Sequence, residues 1–322
     1  MNPSSPRHRL VTLTLNPALD LSCEVEHVEP AVKLRCGPEQ VDPGGGGLNA
    51  ARAIHALGGE ALAVHCAGGL TGRRLQALLD AEGVAQRVVA IDGETRQSLA
   101  VSERRSGEQY RFVLPGPQLS GHEWRTALEV AAAEVSPGGL VLASGSLPQG
   151  VPHAAYARLA RRVADAGARL VVDCHGAALE QALRAGVFMV KPNWREFDAL
   201  FERPASGDDE RAERAIGLVR DAAAEVVVVT LGARGTLLTT AADQRLIAAP
   251  PVEVVSAVGG GDAFAGACLL ALARGRPIEE ACRHGVAAAA AAVMTPGTAP
   301  PLRDEVERLL PLVAEGPAGI AG

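Results

Sequence analysis

The chain has 322 residues, 48% hydrophobic and 21% charged, which is enough to bury a large core without a membrane or a partner. A formal charge of −6 and an aromatic content of 3% argue against nucleic acid as a ligand, because few cations are left for phosphates and few rings for stacking. The segment before Arg9 has no signal-peptide core, nothing downstream reads as a membrane span, and six scattered cysteines without a CxxC pair read as reduced thiols, so a cytoplasmic protein is expected.

Val11–Leu15 opens a series of short apolar, β-rich runs that continues at Ala61–Cys66, Leu140–Ala143, Arg169–Val172, Phe188–Val190 and Val226–Thr230. Between several of them, Ala50–Leu57, Leu75–Ala81, Glu123–Ala133, Ala154–Ala166 and Arg211–Ala222 carry apolar residues at three- and four-residue spacing. This alternation predicts an α/β fold with a doubly wound, mostly parallel sheet flanked by helices. Leu21–Val41 and Arg96–Leu114 break the pattern and read as polar-interrupted strand pairs, the second turning at Ser106-Gly107. They predict a small antiparallel β lid over the carboxyl ends of the parallel strands, where open α/β sheets bind ligands. The predicted division is 1–15, 42–94 and 115–322 for the α/β domain and 16–41 and 95–114 for the lid. Towards the carboxyl end, Glu279–Met294 reads as one long buried helix.

The segment Val258-Gly259-Gly260-Gly261-Asp262-Ala263 places three glycines and an aspartate at the start of an apolar helical pattern. Such a turn offers free N–H groups and a helix dipole to an oxyanion, and Asp262 beside it can accept the proton of an attacking alcohol. A glycine turn with a capping aspartate fits the same letters. Lys191-Pro192-Asn193-Trp194-Arg195-Glu196 follows a strand, and Asn193 with Glu196 either serves Mg²⁺ through its waters or forms an Asn-x-x-Glu capping box. Thr230, Gly232 and Gly235 follow another strand and bring main chain near a nucleotide, or make a plain turn. There is no Walker-type loop and no protein-kinase catalytic loop.

Asp42-Pro43-Gly44-Gly45-Gly46-Gly47-Leu48-Asn49 is a second glycine run before a helix. A dinucleotide fingerprint needs a strand directly before it, and Asp42-Pro43 reads as a turn, so contact with a polyol by main chain and Asn49 is favoured. Asp20 is placed for sugar hydroxyls at the lid hinge, or simply in a turn. Lys33 and Arg35 alternate on one lid strand, and Arg96 and Arg111 lie on the other lid segment; four cations there suit a substrate phosphate, although solvated edge charges are equally common. Lysine is scarce: Lys33 and Lys191 are the only two among 31 basic residues. The eight histidines form no metal-ligand pattern.

With these segments assembled, the chain resembles the ribokinase-like carbohydrate kinases of the PfkB family over nearly its full length. Both family signatures are present, as Pro43–Arg52 and as Val258–Ala263. Lys33-Leu34-Arg35-Cys36, Thr95-Arg96-Gln97, Ser106–Phe112 and Ser144-Gly145-Ser146-Leu147-Pro148 are most similar to the bacterial PfkB-type 6-phosphofructokinases, with 1-phosphofructokinases and tagatose-6-phosphate kinases as relatives. The resemblance implies a ribokinase-like fold and ATP-dependent phosphorylation of a phosphosugar, fructose 6-phosphate at C1 before the alternatives. Asp262 would be the base and Gly259, Gly260 and Gly261 the anion hole. Lys191, Asn193, Glu196, Thr230, Gly232 and Gly235 would serve MgATP. Asp20, Gly45, Gly46, Asn49 and Ser144 would hold the sugar, and Lys33, Arg35, Arg96 and Arg111 its phosphate, some from a neighbouring subunit's lid in a homodimer. A sugar-phosphate sensor without catalysis is disfavoured by the intact Asp262, Asn193 and Glu196. Gly260 stands where the family usually has Ala, and Ala263 where this branch often has Ser. Relatives with a monovalent-cation site use main chain near Ser256, Val258, Ala292 and Gly297, but Thr295–Ala299 departs from the branch pattern, leaving potassium dependence open.

Overall fold

The structure is a computed structural model that describes residues 8–256 and 258–317. Two sheets organise it. In chain order come β1 (His8–Thr14), β2 (Ala18–Val25), β3 (Gln40–Gly44), α1 (Gly46–Ala56), β4 (Leu62–Ala67), α2 (Gly69–Ala81) and β5 (Gln86–Ala90). Then follow β6 (Arg96–Glu103), β7 (Gln109–Val113), α3 (Gly121–Glu134), β8 (Val135–Ser144), α4 (Ala155–Asp165), β9 (Arg169–Asp173) and α5 (Gly176–Ala185). The remainder is β10 (Val187–Val190), α6 (Trp194–Asp198), α7 (Asp208–Arg220), β11 (Ala224–Thr230), β12 (Thr236–Thr240), β13 (Gln244–Ala248), α8 (Gly260–Ala273), α9 (Ile278–Ala292), α10 (Arg303–Leu309) and β14 (Ala314–Pro317).

The large sheet runs β14-β13-β12-β11-β10-β9-β8-β1-β4-β5, parallel from β5 to β11 and antiparallel beyond. Its central strands are buried on both faces, so neighbours in sequence feed opposite cores. Leu140 and Leu142 join the layer formed with α1, α8 and α9, while Val141 and Ala143 join that of α3, α4 and α5. This is the predicted doubly wound, mostly parallel sheet. No helix among the described residues is long and apolar enough to cross a membrane.

The small sheet has the order β3-β2-β6-β7. Its outer pairs are antiparallel, as expected, but the central pair, β2 with β6, is parallel, so two hairpins are joined side by side. Two further expectations are corrected here. Asp42-Pro43 lies within β3 and is not a turn; Pro43 is tolerated because β3 is the sheet edge, where a missing N–H costs no ladder bond. Lys33 and Arg35 lie on no strand. Residues 26–39 are irregular, with Ala31 at φ 64 and Gly37-Pro38 before β3, and these breakers keep the segment from extending either strand.

Candidate active site

Strand order reverses between β1 and β8, so the connections leaving them diverge to opposite sides and open a crevice at their carboxyl ends. Asn16, just after β1, bridges the crevice by donating from Nδ2 to Ser146 Oγ at 3.0 Å. A cleft of about 720 Å³ lies there between the large and small sheets, lined by Asp20, Gly46, Asn49, Arg96, Ser144 and Asp262 among others. A slightly larger hollow of about 800 Å³ sits at the opposite, amino ends of β9 to β11. Its walls are chiefly alanine and aliphatic side chains without convergent polar groups, so the chemistry belongs to the first cleft.

Two glycine-led helices converge on this cleft. Gly259 starts α8 in the left-handed region at φ 83, a turn that a side chain would strain. Gly266 lets α8 press against α1, since a Cβ there would stand 2.6 Å from the Ala50 carbonyl oxygen. Their amino ends therefore meet, and Asn49 Nδ2 donates to Asp262 Oδ2 at 2.9 Å. Asp262 keeps part of its surface open to the cleft. Burial, reinforced by the negative charge of Asp173, pushes its carboxyl up to about 7, against the Asn49 hydrogen bond and the Lys191 charge. A carboxylate with that value is suited to general-base chemistry near neutral pH.

Lys191 follows β10, and its ammonium is almost fully enclosed, 3.0 Å from Asp173 Oδ2 at the end of β9. Burial opposes the charge, yet the attraction and hydrogen bond of Asp173, then Asp262 and Glu196, hold Lys191 above its ordinary value. Its Nζ sits beside the first turn of α8, where a Cβ on Gly261 would lie 3.3 Å away. Ser144, ending β8, donates to Asp173 at 3.4 Å. A Cβ on Gly46 would overlap Ser144 Oγ and approach Asp262 Oδ1 within 3.2 Å, so this glycine keeps the floor of the cleft clear. Gly45, at φ 121, accepts from Asn49 N at 2.9 Å and opens α1.

Asn193 and Glu196 satisfy the capping reading of their motif. Asn193 Oδ1 accepts from the Arg195 and Glu196 amides at 3.0 Å each, and Glu196 Oε2 accepts from Asn193 N at 2.9 Å. Glu196 also lines the cleft, so the cap fixes a carboxylate at its wall. Thr230 ends β11 and bridges to Asn193, its N–H donating to the Pro192 carbonyl at 3.0 Å. Gly232 and Gly235, at φ 66 and 103, shape the turn beyond it.

On the small sheet, register places Arg96 opposite Ala18, Asp20 opposite Ser98 and Arg111 opposite Ala100, so Asp20, Arg96 and Arg111 share the face that lines the cleft. Burial pushes Asp20 up to about 6, opposed mainly by the charges of Arg96 and Arg111. Arg96 is itself held, donating to the Asn16 carbonyl at 3.2 Å and 3.4 Å. Lys33 and Arg35 are fully outside this cluster, exposed on the irregular segment and not lining the cleft. Two residues that the sequence analysis passed over belong to the site: Asp173, partner of Lys191, and Arg52, which donates to Asn49. Asp173 closes an apolar run just as Lys191 does, so the rule that singled out the lysine would have found it.

Comparison with known proteins agrees with this geometry. The model of the pfkB family carbohydrate kinases matches residues 14–305. ATP-dependent 6-phosphofructokinase isozyme 2 of Mycobacterium tuberculosis (strain H37Rv) is 43% identical over 307 residues, 95% of this chain and 90% of that protein. The isozyme 2 of Escherichia coli (strain K12) is 41% identical over 302 residues, 94% and 97% of the two chains. The crystal structure of phosphofructokinase-2 from Escherichia coli in complex with fructose-6-phosphate superposes with a TM-score of 0.89 at 39% identity, covering 95% of this chain and 99% of that one. A doubly wound sheet, a cleft at its switch point and a carboxylate at a glycine-led helix start thus coincide with a family match across most of the sequence: the chain is a phosphotransferase of the pfkB carbohydrate kinase family.

Proposed function

We propose that the chain transfers the γ-phosphoryl group of ATP to the C1 hydroxyl of fructose 6-phosphate, giving fructose 1,6-bisphosphate and ADP. The observation that carries this reading is Asp262, oriented by Asn49, open to the cleft and set at the start of α8 opposite Lys191. Its carboxylate takes the hydroxyl proton as the alcohol attacks phosphorus, and the terminal phosphoryl group meets the main-chain amides of Gly259, Gly260 and Gly261. Because only the ionised form accepts a proton, kcat/KM falls as pH drops through about 7. Asp20, Gly45, Gly46, Asn49 and Ser144 hold the sugar.

Lys191, Asn193, Glu196, Thr230, Gly232 and Gly235 face the nucleotide. The donors suit Mg²⁺: a capped Glu196 carboxylate at the cleft wall fits an ion that keeps its waters and leans on phosphate oxygens. When bound, Mg²⁺ neutralises charge on the phosphates. Glu196 would hold it through water.

The small sheet is the lid, with Arg96 and Arg111 as the cations for the existing phosphate. Arg96→Ala is expected to raise KM for the sugar phosphate by about tenfold or more and to change kcat little, the size of a lost charge-assisted contact. An unchanged KM in steady-state kinetics would put Arg96 outside the phosphate site. The lid also exposes Leu99 and Phe112, which are register partners, beside Val113 and Leu114. A second copy's lid covers this face and brings Lys33 and Arg35 within reach of a neighbouring cleft. Sedimentation should accordingly find a dimer that Phe112→Lys dissociates; an intact dimer in that variant would place the interface elsewhere. The free cysteines fit the reducing cytoplasm.

A coupled ADP-release assay across fructose 6-phosphate, fructose 1-phosphate, tagatose 6-phosphate and the unphosphorylated sugars tests the assignment. Fructose 6-phosphate should give the highest kcat/KM. Preference for another sugar phosphate reassigns the acceptor, and no ADP release with any of them overturns the reading.

A further inference from the structure

Arg52 stands one helical turn beyond Asn49 on α1, and only 3% of it is exposed. Its Nε and Nη2 grip the two carboxylate oxygens of Glu82, each at 2.6 Å. The remaining nitrogen, Nη1, donates to the Pro43 carbonyl at 3.2 Å, the Thr298 carbonyl at 2.9 Å and Asn49 Oδ1 at 3.4 Å. Asp42 Oδ1 lies 3.7 Å from Nη2. These partners come from separate pieces of the molecule. Glu82 is the residue after α2, and Asp42 and Pro43 form the root of the small sheet. Thr298 belongs to the loop after α9, whose Gly297 carbonyl accepts from Ser256 Oγ at 3.1 Å just before the α8 glycines. Enclosing a guanidinium is unfavourable unless its donors are matched, and these partners match them.

The chemistry of Asn49 makes the arrangement directional. A guanidinium only donates and an ionised carboxylate only accepts, so Asn49 satisfies both neighbours in one orientation alone, Oδ1 towards Arg52 and Nδ2 towards Asp262. We propose that Arg52 is a positioning residue for phosphoryl transfer: it fixes the Asn49 amide against the base and, through the same nitrogen, fastens the root of the lid to the loop behind the α8 glycines. The inference rests on Asp262 being the base. The other charged groups around Asp262 are Asp173 at the end of β9, Lys191 after β10 and Asp20 on β2, and none of them is altered by the test.

The test is a cycle of Arg52→Lys and Glu82→Gln, each alone and combined with Asn49→Ala, read as pH profiles of kcat/KM with ATP and fructose 6-phosphate. Glu82 touches no part of the cleft; its link to the chemistry is Arg52. Arg52→Lys should lower kcat about 10- to 100-fold, as loss of an orienting partner does, with KM for ATP within about twofold. Its acid limb should move to higher pH by roughly half a unit, because an unfixed amide no longer favours the ionised carboxyl. Glu82→Gln keeps the cation but loosens the fork, and should move both quantities the same way by less. Asn49→Ala should shift the limb at least as far, and adding either second change should shift it no further. The substrate phosphate titrates near pH 6 in every variant, so differences between variants report the enzyme. If Arg52→Lys does not fold, Glu82→Gln with Asn49→Ala completes the cycle. Additive shifts, or lowered kcat with an unmoved acid limb, overturn the inference. An active Asp262→Asn variant would instead remove the base itself, so the two failures are distinguishable.

Discussion

Asp262→Asn is expected to lower kcat by about 10²- to 10⁴-fold, the usual span of a general-base contribution, while KM for ATP stays within about twofold. Thermal stability separates this from a collapsed cleft. Burial and Asp173 raise the Asp262 carboxyl from its ordinary 3.8 to about 7, so between these values the folded chain binds more protons than the unfolded one. Stability therefore declines as pH rises through that window, and at pH 8 the ionised side chain opposes folding. The amide carries no such penalty. Near pH 8 the variant should melt at or above the parent's Tm, and the difference should narrow towards pH 4. An inactive variant that also melts earlier at pH 8 would indicate lost packing, and a fully active one would take Asp262 out of the mechanism.

Much of the frame was legible because its signals are local. The six apolar runs became strands of the parallel part of the large sheet, since a strand buried on both faces must be continuously apolar, and the glycine runs opened α1 and α8. The antiparallel extension was not legible: β12 and β13 interleave Thr, Gln and Arg and show no apolar run of their own. Expected extended structure around Lys33 failed because Ala31, at φ 64, and Gly37-Pro38 break the segment despite its alternating residues. In the site, the capping reading of Asn193 and Glu196 holds, and the cap is compatible with the role proposed for Glu196. One capping box both ends a strand connection and fixes a carboxylate at the cleft. What no local pattern carries is convergence. Arg52 meets Thr298 across 246 positions and Asn49 meets Asp262 across 213, contacts that exist only once α1 packs against the loop after α9 and against α8.

The Lys191–Asp173 pair yields the second large effect, with opposite signs for its two members. Lys191→Met should lower kcat by about 10²- to 10³-fold, as loss of a preorganised charge donor at the transferring group does. It should also destabilise the chain by about 3 kcal/mol near pH 8, the low end for breaking a buried pair, because Asp173 keeps 13% of its side chain exposed. The raised Lys191 contributes stability that is complete below its ordinary 10.5 and lost only above it, so between pH 6 and 9 its own contribution is constant. The pH dependence of Tm in that range then comes from groups such as Asp262, raised by burial, and His65 and His284, which burial holds below their ordinary 6.5. Combining Asp173→Asn with Lys191→Met removes the stranded charge, and should recover most of the lost Tm but none of the activity. The pH profiles are decisive. Without the ammonium, Asp262 faces Asp173 uncompensated and its acid limb moves up; without the Asp173 charge, which ranks next after burial in raising Asp262, the limb moves down. A common direction for both single variants would mean that these groups do not set the proton affinity of the base, and that Lys191 acts on the nucleotide alone.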